Sequence, residues 1–411
     1  MRAKAKMRVY VSPCGVGLGH IVRSAPIADE LVSRGAEIVY STYLDGLDYA
    51  RARGFKFFES VPISFRVKSD GAVDFKQTAA RSGLSLGLRR FLKQVRVEIR
   101  NMKRFRPDVV FSDSRASSII AARLLGVPVV LMLNQFRVEI VRRPSSGGLT
   151  PMERLFFLLA NIFWIFVRTI IMGVWGQSEL ILIPDYPMPR AISLGNLAVP
   201  SRYRSKVRFI GPIVGVFPEE LPGRSEIIRE LMLPEDKPKI YAGISGPRTE
   251  RDYLVNLLLE TFPKMPSGYH FVLSCGDPQG STNPRSIGNV TYYEWMDDRT
   301  QFMMLKVVDV VMCRSGHGTI AKALAFSKPL ILIPTPDHTE QYGNAKRMVQ
   351  LGVAVMLDQK TLNRERLSGS IEEILQSPKF VINAQNLGEE TLRLRPIETA
   401  AELIIGIGQR N

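Results

Sequence analysis

The sequence predicts an α/β protein made of two Rossmann-like domains that face a central cleft. Short runs rich in Val and Ile alternate with longer helical patterns, and the runs lack a polar face, which is typical of parallel strands covered on both sides. The length of 411 residues accommodates two domains, each with its own core. With 45% apolar and 23% charged residues, the composition is globular and excludes general disorder, collagen and disulfide-scaffold classes.

The apolar runs predict strands, and helical patterns lie between most of them. The predicted strands are Arg8–Ser12, Glu37–Ser41, Val109–Ser112, Val127–Leu133, Leu180–Ile183, Val207–Ile210, Lys239–Gly243, His270–Ser274, Val307–Met312 and Pro329–Ile333. Because ligands of open α/β sheets bind at the carboxyl ends of the strands, the loops that follow strands are the places to search.

A break between two series of strands lies near residues 211–238, where Gly211-Pro212 follows one strand and a new series begins at Lys239. We therefore expect an N-terminal domain over residues 1–211 and a C-terminal domain over residues 212–390. Residues 391–411 are expected to form a helix that packs back on the N-terminal domain.

The charge balance predicts an anionic partner. The net charge of +16 suits nucleic acid, an acidic membrane or a phosphorylated substrate, and charge alone does not choose among them. The three cysteines, Cys14, Cys275 and Cys313, are far apart, which favours a reducing compartment and argues against structural zinc. The basic first residues lead into a short strand and do not match a secretory signal peptide.

The first predicted strand runs into a loop with Gly15, Gly17 and Gly19 at alternate positions, followed by His20 and a helix over Ile21–Arg34. Glycines permit close backbone approach, and a helix N-terminus offers free N–H groups to a phosphate. Such glycine strings are common, so this loop alone is a weak signal. His20 is expected at the rim of the cleft, and the alternative is a histidine that is merely solvated.

Two neighbouring loops in the C-terminal half carry polar and glycine residues. The first, Ser315-Gly316-His317-Gly318-Thr319, precedes a predicted helix over Ile320–Phe326 and can wrap a diphosphate with N–H and hydroxyl donors. The second contains Asp337, Glu340 and Gln341, which suit sugar hydroxyls. Either loop taken alone is also compatible with an ordinary turn.

These two loops, with Lys328-Pro329 and Asn344-Ala345, resemble the nucleotide-sugar half of GT-B glycosyltransferases. The resemblance is to the MurG-like family 28 enzymes and their archaeal relatives. Gly15 to Arg34 resembles the N-terminal glycine loop and first helix of that family, and Gly243-Ile244-Ser245-Gly246 resembles its loop after the first strand of the C-terminal domain. The resemblance covers roughly residues 7–135 and 207–375.

The resemblance implies a UDP-sugar donor, of N-acetylglucosamine or another hexose, in the C-terminal domain and an acceptor held by the N-terminal domain. It implies transfer with inversion and without a metal. His20 falls at the position of a histidine implicated in catalysis. The resemblance implies these donor-binding positions: Ser245, Gly246, Trp295, Met296, Ser315, Gly316, His317, Gly318, Thr319, Asp337, Glu340 and Gln341. We add the loop glycines Gly17 and Gly19 and the neighbouring Arg248.

One position departs from the family pattern. Relatives commonly carry a glutamate that binds ribose hydroxyls three residues after the threonine of the phosphate loop, where this chain has Lys322. A lysine cannot accept those hydrogen bonds. Either the ribose is held elsewhere, or the nucleotide differs, or the positions are offset.

His20 is the candidate general base, because imidazole titrates close to neutral pH. Asp113, at the end of another predicted strand, is the second candidate or could orient the acceptor, and a helix N-cap is the alternative. Arg314 could assist the leaving group or be structural. Asp297-Asp298 is the one carboxylate pair considered for a metal, and we interpret it as a helix cap.

Residues 151–176 are predicted to associate with a membrane. Between Leu155 and Trp175 only Asn161, Arg168 and Thr169 are polar, and a helix of this length reaches about 32 Å. A single crossing would separate the two domains, so we prefer a helix lying in the membrane interface or forming a lipid-binding groove. A buried core helix is the alternative.

The segment Arg81–Arg106 is basic and amphipathic, with Glu98 as its one acid. It suits anionic lipid headgroups, although a solvated face or a nucleic-acid surface would look the same. No nucleic-acid motif is present, so nucleic acid is not an expected partner. The prediction is a lipid-borne acceptor, a role in cell-envelope glycan synthesis, and a cytoplasmic protein held peripherally on the inner face of the cell membrane.

Three other functions remain open from the sequence. A nucleotide-sugar epimerase or hydrolase on the same scaffold would turn over donor without an acceptor. A non-catalytic binding protein would bind donor and release no nucleotide. A nucleic-acid-binding protein is supported by charge alone and predicts salt-sensitive binding.

Overall fold

The computed structural model describes residues 6–16, 18–62, 75–136, 150–246, 248–277, 279–336 and 338–410. For residues 75–86, 153, 156, 157, 160 and 248–250 it describes the backbone alone. Within these ranges the strands form two seven-stranded sheets, which confirms the predicted α/β class with two Rossmann-like units.

The first sheet is parallel throughout, in the order β3-β2-β1-β4-β5-β6-β7. Its strands are Arg8–Pro13 (β1), Glu37–Thr42 (β2), Phe57–Glu59 (β3), Val109–Asp113 (β4), Val129–Met132 (β5), Leu180–Ile183 (β6) and Val207–Phe209 (β7). Its helices are Gly19–Ser33 (α1), Asp45–Ala52 (α2), Phe75–Phe105 (α3), Ala116–Leu124 (α4), Pro151–Trp175 (α5) and Leu194–Leu197 (α6).

The second sheet has the order β10-β11-β9-β8-β12-β13-β14, and only β10 runs antiparallel to its neighbour. Its strands are Lys239–Gly243 (β8), His270–Ser274 (β9), Arg285–Ile287 (β10), Val290–Tyr293 (β11), Val310–Cys313 (β12), Leu330–Leu332 (β13) and Ala354–Met356 (β14). The later helices are Arg224–Glu230 (α7), Arg248–Thr261 (α8), Asp298–Val307 (α9), His317–Ala325 (α10), Thr339–Gln350 (α11), Arg364–Gln376 (α12), Pro378–Leu394 (α13) and Pro396–Gly408 (α14). Short 3-10 turns cover Ser201–Lys206, Pro218–Glu220, Phe262–Lys264 and Gln359–Thr361.

Each sheet has an apolar core on both faces. In the first sheet, α1 and α14 supply one face, and α4 with the end of α5 supplies the other. The last helix therefore packs in the core of the first sheet, through Ala400, Ala401 and Ile404. In the second sheet, helices α9, α10, α11 and α13 cover one face, and α8 and α12 cover the other.

A buried polar cluster fixes α3 against the first sheet. Glu98 is fully buried, accepts hydrogen bonds from the hydroxyls of Tyr10 at 2.8 Å and Ser41 at 3.0 Å, and pairs with the Arg115 guanidinium. Because Arg115 precedes α4, the cluster joins two helices to strands β1 and β2. Glu98 thus lies on the buried side of α3, away from the basic side chains of that helix.

The strand predictions need several corrections. Strands β3, β10, β11 and β14 were not predicted; three of them are only three residues long, and β10 is an exposed antiparallel edge without an apolar run. The predicted strand Val307–Met312 begins too early, because Val307 is the last residue of α9 and β12 starts at Val310.

Candidate active site

A cleft of about 1270 Å³ lies between the carboxyl ends of the two sheets. The N-terminal side contributes the first turn of α1, the residues after β4 and β5, and one face of α5. The C-terminal side contributes Ser245 after β8, the first turn of α10 and part of α9. The cleft therefore lies at the edge where ligands of open α/β sheets bind.

His20, Asp113 and Arg23 form a hydrogen-bonded group on the N-terminal wall. His20 Nδ1 lies 2.8 Å from Asp113 Oδ1. Arg23 Nε donates to Asp113 Oδ2 at 2.6 Å, and its Nη2 donates to Oδ1. Arg23 Nη2, a donor, lies 3.1 Å from the same Nδ1, but the carboxylate oxygen is nearer at 2.8 Å and can only accept. We therefore assign the proton to Nδ1 of His20, which leaves a lone pair on Nε2. His20 lines the cleft and is 27% exposed, which rules out the merely solvated histidine.

Asp113 is ionised in this arrangement. Burial by itself raises the pKa of the carboxyl, but Arg23 and then His20 outweigh it, and the pKa falls to about 2. Its side chain is 1% exposed, so it cannot take a proton from an acceptor in the cleft. The helix-cap alternative is wrong as well, because α4 begins at Ala116 and its N-cap is Arg115. Asp113 therefore orients His20, and Arg23 is a partner that the sequence did not reveal.

The glycines after β1 serve different purposes. A Cβ on Gly15 would lie 2.7 Å from the Tyr43 carbonyl carbon, so this glycine allows the neighbouring loop to approach and does not face a ligand. Gly19 is the first residue of α1, lines the cleft and has open space around it. Gly17 lies outside the described residues.

Helix α10 begins three residues before the predicted Ile320, which places His317, Gly318 and Thr319 in its first turn. All three line the cleft together with Gly316, the N-cap residue. The N–H groups of a first turn have no partner within the helix, so this end of α10 offers donors to an anion. Ser315 lies behind the cleft wall, fully buried and with a φ of 62°, and its Oγ has no partner among the described residues.

His317 also touches the other half of the chain. Its Nε2 lies 3.3 Å from Oδ2 of Asp185, a fully buried carboxylate in the loop after β6. Asp185 accepts hydrogen bonds from the backbone N–H of Tyr186 and Ile192, both at 2.8 Å. Burial raises the pKa of Asp185, but His317 and Ser193 outweigh it and the pKa is lowered. Asp185 was not among the residues predicted from the sequence, although an acid two residues after the predicted strand Leu180–Ile183 is a signal that could have pointed to it.

The remaining predicted donor positions are spread around the cleft. Ser245 and Glu340 line it, whereas Gly246, with a φ of 127°, and Gln341 are not in its wall. Gln341 accepts a hydrogen bond from the Thr335 backbone N–H at 2.8 Å, so its side-chain oxygen holds the loop. Asp337 lies outside the described residues, and so does the Arg248 side chain.

The positions that the resemblance implies for the uracil, Trp295 and Met296, and the arginine suggested for the leaving group, Arg314, do not line the cleft. The Trp295 backbone N–H donates to the Ser281 carbonyl at 3.1 Å. Arg314 is buried and donates to the Gln359 side chain, which identifies it as structural.

Lys322, at the position where the family resemblance implies a ribose-binding glutamate, lies in the wall of the cleft. Its Nζ donates to Gln301 Oε1 at 2.7 Å and lies 5.2 Å from the centre of the Phe302 ring. Burial lowers the pKa of Lys322, and Asp298 opposes that shift. This lysine is held in place by protein contacts on the C-terminal side of the cleft.

The Asp297-Asp298 pair is a cap, as predicted. Asp297 is the N-cap of α9, and its side chain accepts the Thr300 N–H at 2.8 Å. In the described part of the chain, no group of three or more His, Cys, Asp or Glu side chains is placed to hold a metal ion.

Helix α5 has two different faces. Trp164, Arg168, Ile171 and Trp175, spaced three or four residues apart, line the cleft. The opposite face is apolar, and its described side chains are each more than half exposed: Met152, Leu155, Leu158, Leu159, Ile162, Ile165, Phe166 and Ile170. The buried-core alternative for this helix is therefore wrong. Over the residues that the structure describes, no helix combines the length and apolar character needed to cross a membrane.

Helix α3 packs beside α4, as α5 does on the other side. Most of its exposed side chains are basic: Arg89, Arg90, Lys93, Arg96, Arg100, Lys103 and Arg104. Leu88 and Leu92 are exposed between them. The part of the predicted segment that contains Arg81 has no described side chains. A basic surface and an apolar surface therefore flank α4 on one side of the first sheet.

Comparison with known proteins relates this chain to glycosyltransferases. Residues 7–150 match the family described as glycosyl transferase family 1, and residues 248–394 match the glycosyltransferase family 28 C-terminal domain. A protein of Methanosarcina mazei named as an uncharacterized glycosyltransferase is 28% identical over 379 residues, which span 91% of each chain.

Solved structures share the whole fold. Spinosyn rhamnosyltransferase SpnG, solved with thymidine diphosphate, has a TM-score of 0.63 and 18% identity, covering 97% of this chain and all of that one. MurG of Acinetobacter baumannii has a TM-score of 0.57 and 16% identity, covering 98% and 99% of the two chains. Two Rossmann-like sheets facing a glycine-rich cleft are the GT-B fold.

The chain is a glycosyltransferase of the GT-B class. Its C-terminal half carries the family 28 domain, as the polar loops after β12 and β13 predicted.

Proposed function

We propose that this enzyme transfers a hexose, such as N-acetylglucosamine, from a UDP-sugar to a lipid-linked acceptor at an anionic membrane surface. The observation that carries the proposal is helix α5, which joins an exposed apolar face to a wall of the cleft. A lipid whose tail remains in the membrane beside this helix can present its head group to His20 without leaving the bilayer.

The outer face of α5 suits the bilayer interface. A helix of 25 residues is about 38 Å long, and large apolar side chains recur along one side of it. Contiguous exposed apolar surface of this kind marks a membrane or protein contact. The basic side chains of α3 on the same side of the sheet favour an anionic membrane, since each contributes about 1 kcal/mol near such a surface.

In the proposed reaction, His20 is the general base. Nε2 takes the proton from the acceptor hydroxyl, whose oxygen then bonds to the anomeric carbon of the donor sugar. The bond from that carbon to the diphosphate breaks, and UDP leaves with the bonding pair. Asp113 stabilises the imidazolium that forms, as a buried carboxylate does beside a catalytic histidine.

The N-terminus of α10 stabilises the leaving diphosphate. The free N–H groups of its first turn, at His317, Gly318 and Thr319, face the cleft across from the wall that holds His20. Attack from one wall with departure toward the other inverts the anomeric centre.

The uridine part of the proposal rests on the likeness of the family 28 domain, and Lys322 is the reason to test it. A lysine donates to hydroxyls or phosphates and cannot accept from ribose. The donor panel should therefore include thymidine-diphosphate sugars, since the related rhamnosyltransferase structure contains thymidine diphosphate.

We place the enzyme on the cytoplasmic side of the cell membrane and in the synthesis of cell-envelope glycans. The three cysteines are free thiols, which is typical of a reducing compartment. The basic face of α3 suits the anionic inner leaflet.

The proposal is tested by release of nucleoside diphosphate from a panel of nucleotide sugars, with and without total membrane lipid. We expect one donor to be turned over, lipid to stimulate the release, and His20→Ala to abolish it. Release that does not need lipid would favour a hydrolase, conversion of the donor to an isomer without release would favour an epimerase, and no release from any donor would refute the proposal.

Membrane binding is tested separately by sedimentation with vesicles of phosphatidylglycerol and phosphatidylcholine. Ile162→Glu on α5 is compared with Ile382→Glu on α13, because the two isoleucines are 56% and 53% exposed. We expect only Ile162→Glu to lower binding. If instead wild type is a dimer that Ile162→Glu dissociates and vesicles are not bound, the apolar face contacts a second copy.

A further inference from the structure

We propose that Arg168, on the inner face of α5, binds a phosphate group of the acceptor lipid. This assignment deepens the proposed function and depends on it. It identifies the acceptor as a phosphorylated amphiphile and gives Arg168 a role in selecting it.

Arg168 lines the cleft together with Trp164, Ile171 and Trp175 of the same helix. Both tryptophans are less than a tenth exposed. The Nε of Arg168 is buried and has no hydrogen-bond partner in the part of the chain that the structure describes. Within the described residues, no carboxylate pairs with its guanidinium.

The other cations on this wall are already paired. Arg23 is held by Asp113, and Arg53 lies 3.4 Å from Asp29. Glu30 also lines the cleft and pairs with Arg34 at 2.7 Å. The described acids that remain in the cleft, Glu340 and Asp298, are on helices of the C-terminal half. Arg168 is therefore a half-buried guanidinium in a largely apolar wall, with no counter-ion among the described residues, and an anion in the cleft would stabilise it.

A phosphate on a lipid fits this position. The planar guanidinium donates two parallel hydrogen bonds to phosphate oxygens. Arg168 is on the same helix as the outer apolar face, where Phe166 and Ile170 are more than half exposed. A tail along the outside of α5 and a phosphate at Arg168 would place the group to be glycosylated beyond the phosphate, in the cleft that His20 shares. The donor diphosphate has its own donors at α10, on the opposite side.

The test measures binding of decyl phosphate, decanol and inorganic phosphate to the full-length protein by titration calorimetry, below the micelle concentration. We expect decyl phosphate to bind about 10- to 100-fold more tightly than decanol, since that is the range for a charged hydrogen-bonding group. Arg168→Gln should reduce decyl phosphate affinity to that of decanol, and Arg168→Lys should keep part of the difference. Arg154→Gln, at an exposed position of the same helix, should change neither affinity.

Several outcomes would overturn the assignment. If wild type binds decyl phosphate and decanol with equal affinity, the assignment is overturned even when no variant folds. It is also overturned if Arg154→Gln and Arg168→Gln lose the same amount of affinity for decyl phosphate. Inorganic phosphate that binds as tightly as decyl phosphate would indicate an anion site unrelated to a lipid. A variant that loses UDP affinity would assign Arg168 to the donor, and one that loses vesicle binding would assign it to bilayer headgroups.

The design separates this assignment from the proposed function. If both decyl compounds bind equally, a lipid site exists and only the role of Arg168 fails. If neither binds to wild type, the lipid acceptor itself is refuted together with Arg168.

Discussion

Replacing Asp113 by asparagine should disable His20 while leaving the cleft intact. Asparagine keeps the shape of the side chain but removes the charge that faces Nδ1 of His20 at 2.8 Å and the Arg23 guanidinium. The imidazole can then adopt the other tautomer, in which Nε2 carries the proton and cannot take one from the acceptor.

The structure sets the size of the effect. The pKa of Asp113 lies at about 2 instead of 3.8, so its partners favour the charged form by about 2.5 kcal/mol even after burial. Arg23 is 16% exposed, and without its counter-ion it should destabilise the fold by about 3 kcal/mol, the lower end for a broken buried pair. Loss of the oriented base should lower kcat by about 100- to 10,000-fold with a small change in KM.

The assay is a mutant cycle on kcat with His20→Ala, Asp113→Asn and the double variant, and thermal unfolding as the folding control. If Asp113 acts through His20, the double variant should be no slower than His20→Ala. Multiplicative losses would refute the reasoning, because Asp113 would then act independently. The carboxylate also stabilises the fold only while it is ionised, so the difference in unfolding free energy between wild type and Asp113→Asn should shrink as the pH falls from 3.8 toward about 2.

Three further predictions concern the scaffold. Glu98→Gln should lower the free energy of unfolding by about 3–5 kcal/mol in a denaturant titration, because it leaves the Arg115 cation buried without its partner. Gly15→Ala should cost about 1–3 kcal/mol and weaken nucleotide-sugar turnover, because its Cβ would overlap the Tyr43 backbone and shift the loop before His20. Lys328→Met should raise the free energy of unfolding at pH 7 by about 1–2 kcal/mol. Burial lowers the pKa of Lys328 from 10.5 to about 8, so the folded state disfavours the charged form. The gain should disappear as the pH rises from about 8 to 10.5, where the lysine becomes neutral in both states.

Each of these has an outcome that contradicts it. If Glu98→Gln leaves the free energy of unfolding unchanged, the ion pair between Glu98 and Arg115 does not stabilise the fold. Wild-type turnover by Gly15→Ala would show that the loop has room to move. A Lys328→Met variant whose advantage is the same at pH 7 and pH 10 would show that its effect comes from packing and not from charge.

The sequence predicted most of the parallel strands because they coincide with runs rich in Val, Ile and Leu. It did not predict β3, β10 and β14, because Phe57–Glu59, Arg285–Ile287 and Ala354–Met356 contain no run of Val and Ile, and β10 is exposed. The early start of α10 also escaped prediction. Glycines at 316 and 318 are typical of a loop, whereas the structure uses Gly316 as the N-cap and Gly318 within the first turn.

The site was only partly predictable, because its contacts depend on strand order. His20 and Asp113 are 93 positions apart and meet because β1 pairs with β4, with Pro13 opposite Asp113. Arg23 is one helical turn from His20 but carries no motif. Asp185 reaches His317 from the other half of the chain, a contact that no local pattern encodes.

The most direct test of the proposed transfer to lipid is to follow a radiolabelled hexose from its nucleotide-sugar donor into lipid. Protein, donor and total membrane lipid are incubated together and then partitioned between an organic solvent and water. We predict that the label enters the organic phase with wild type and with Ile382→Glu. With His20→Ala it should not, and with Ile162→Glu the amount should be strongly reduced. Label that wild type leaves in water as free sugar or as an isomerised donor, whatever lipid is supplied, would contradict the account.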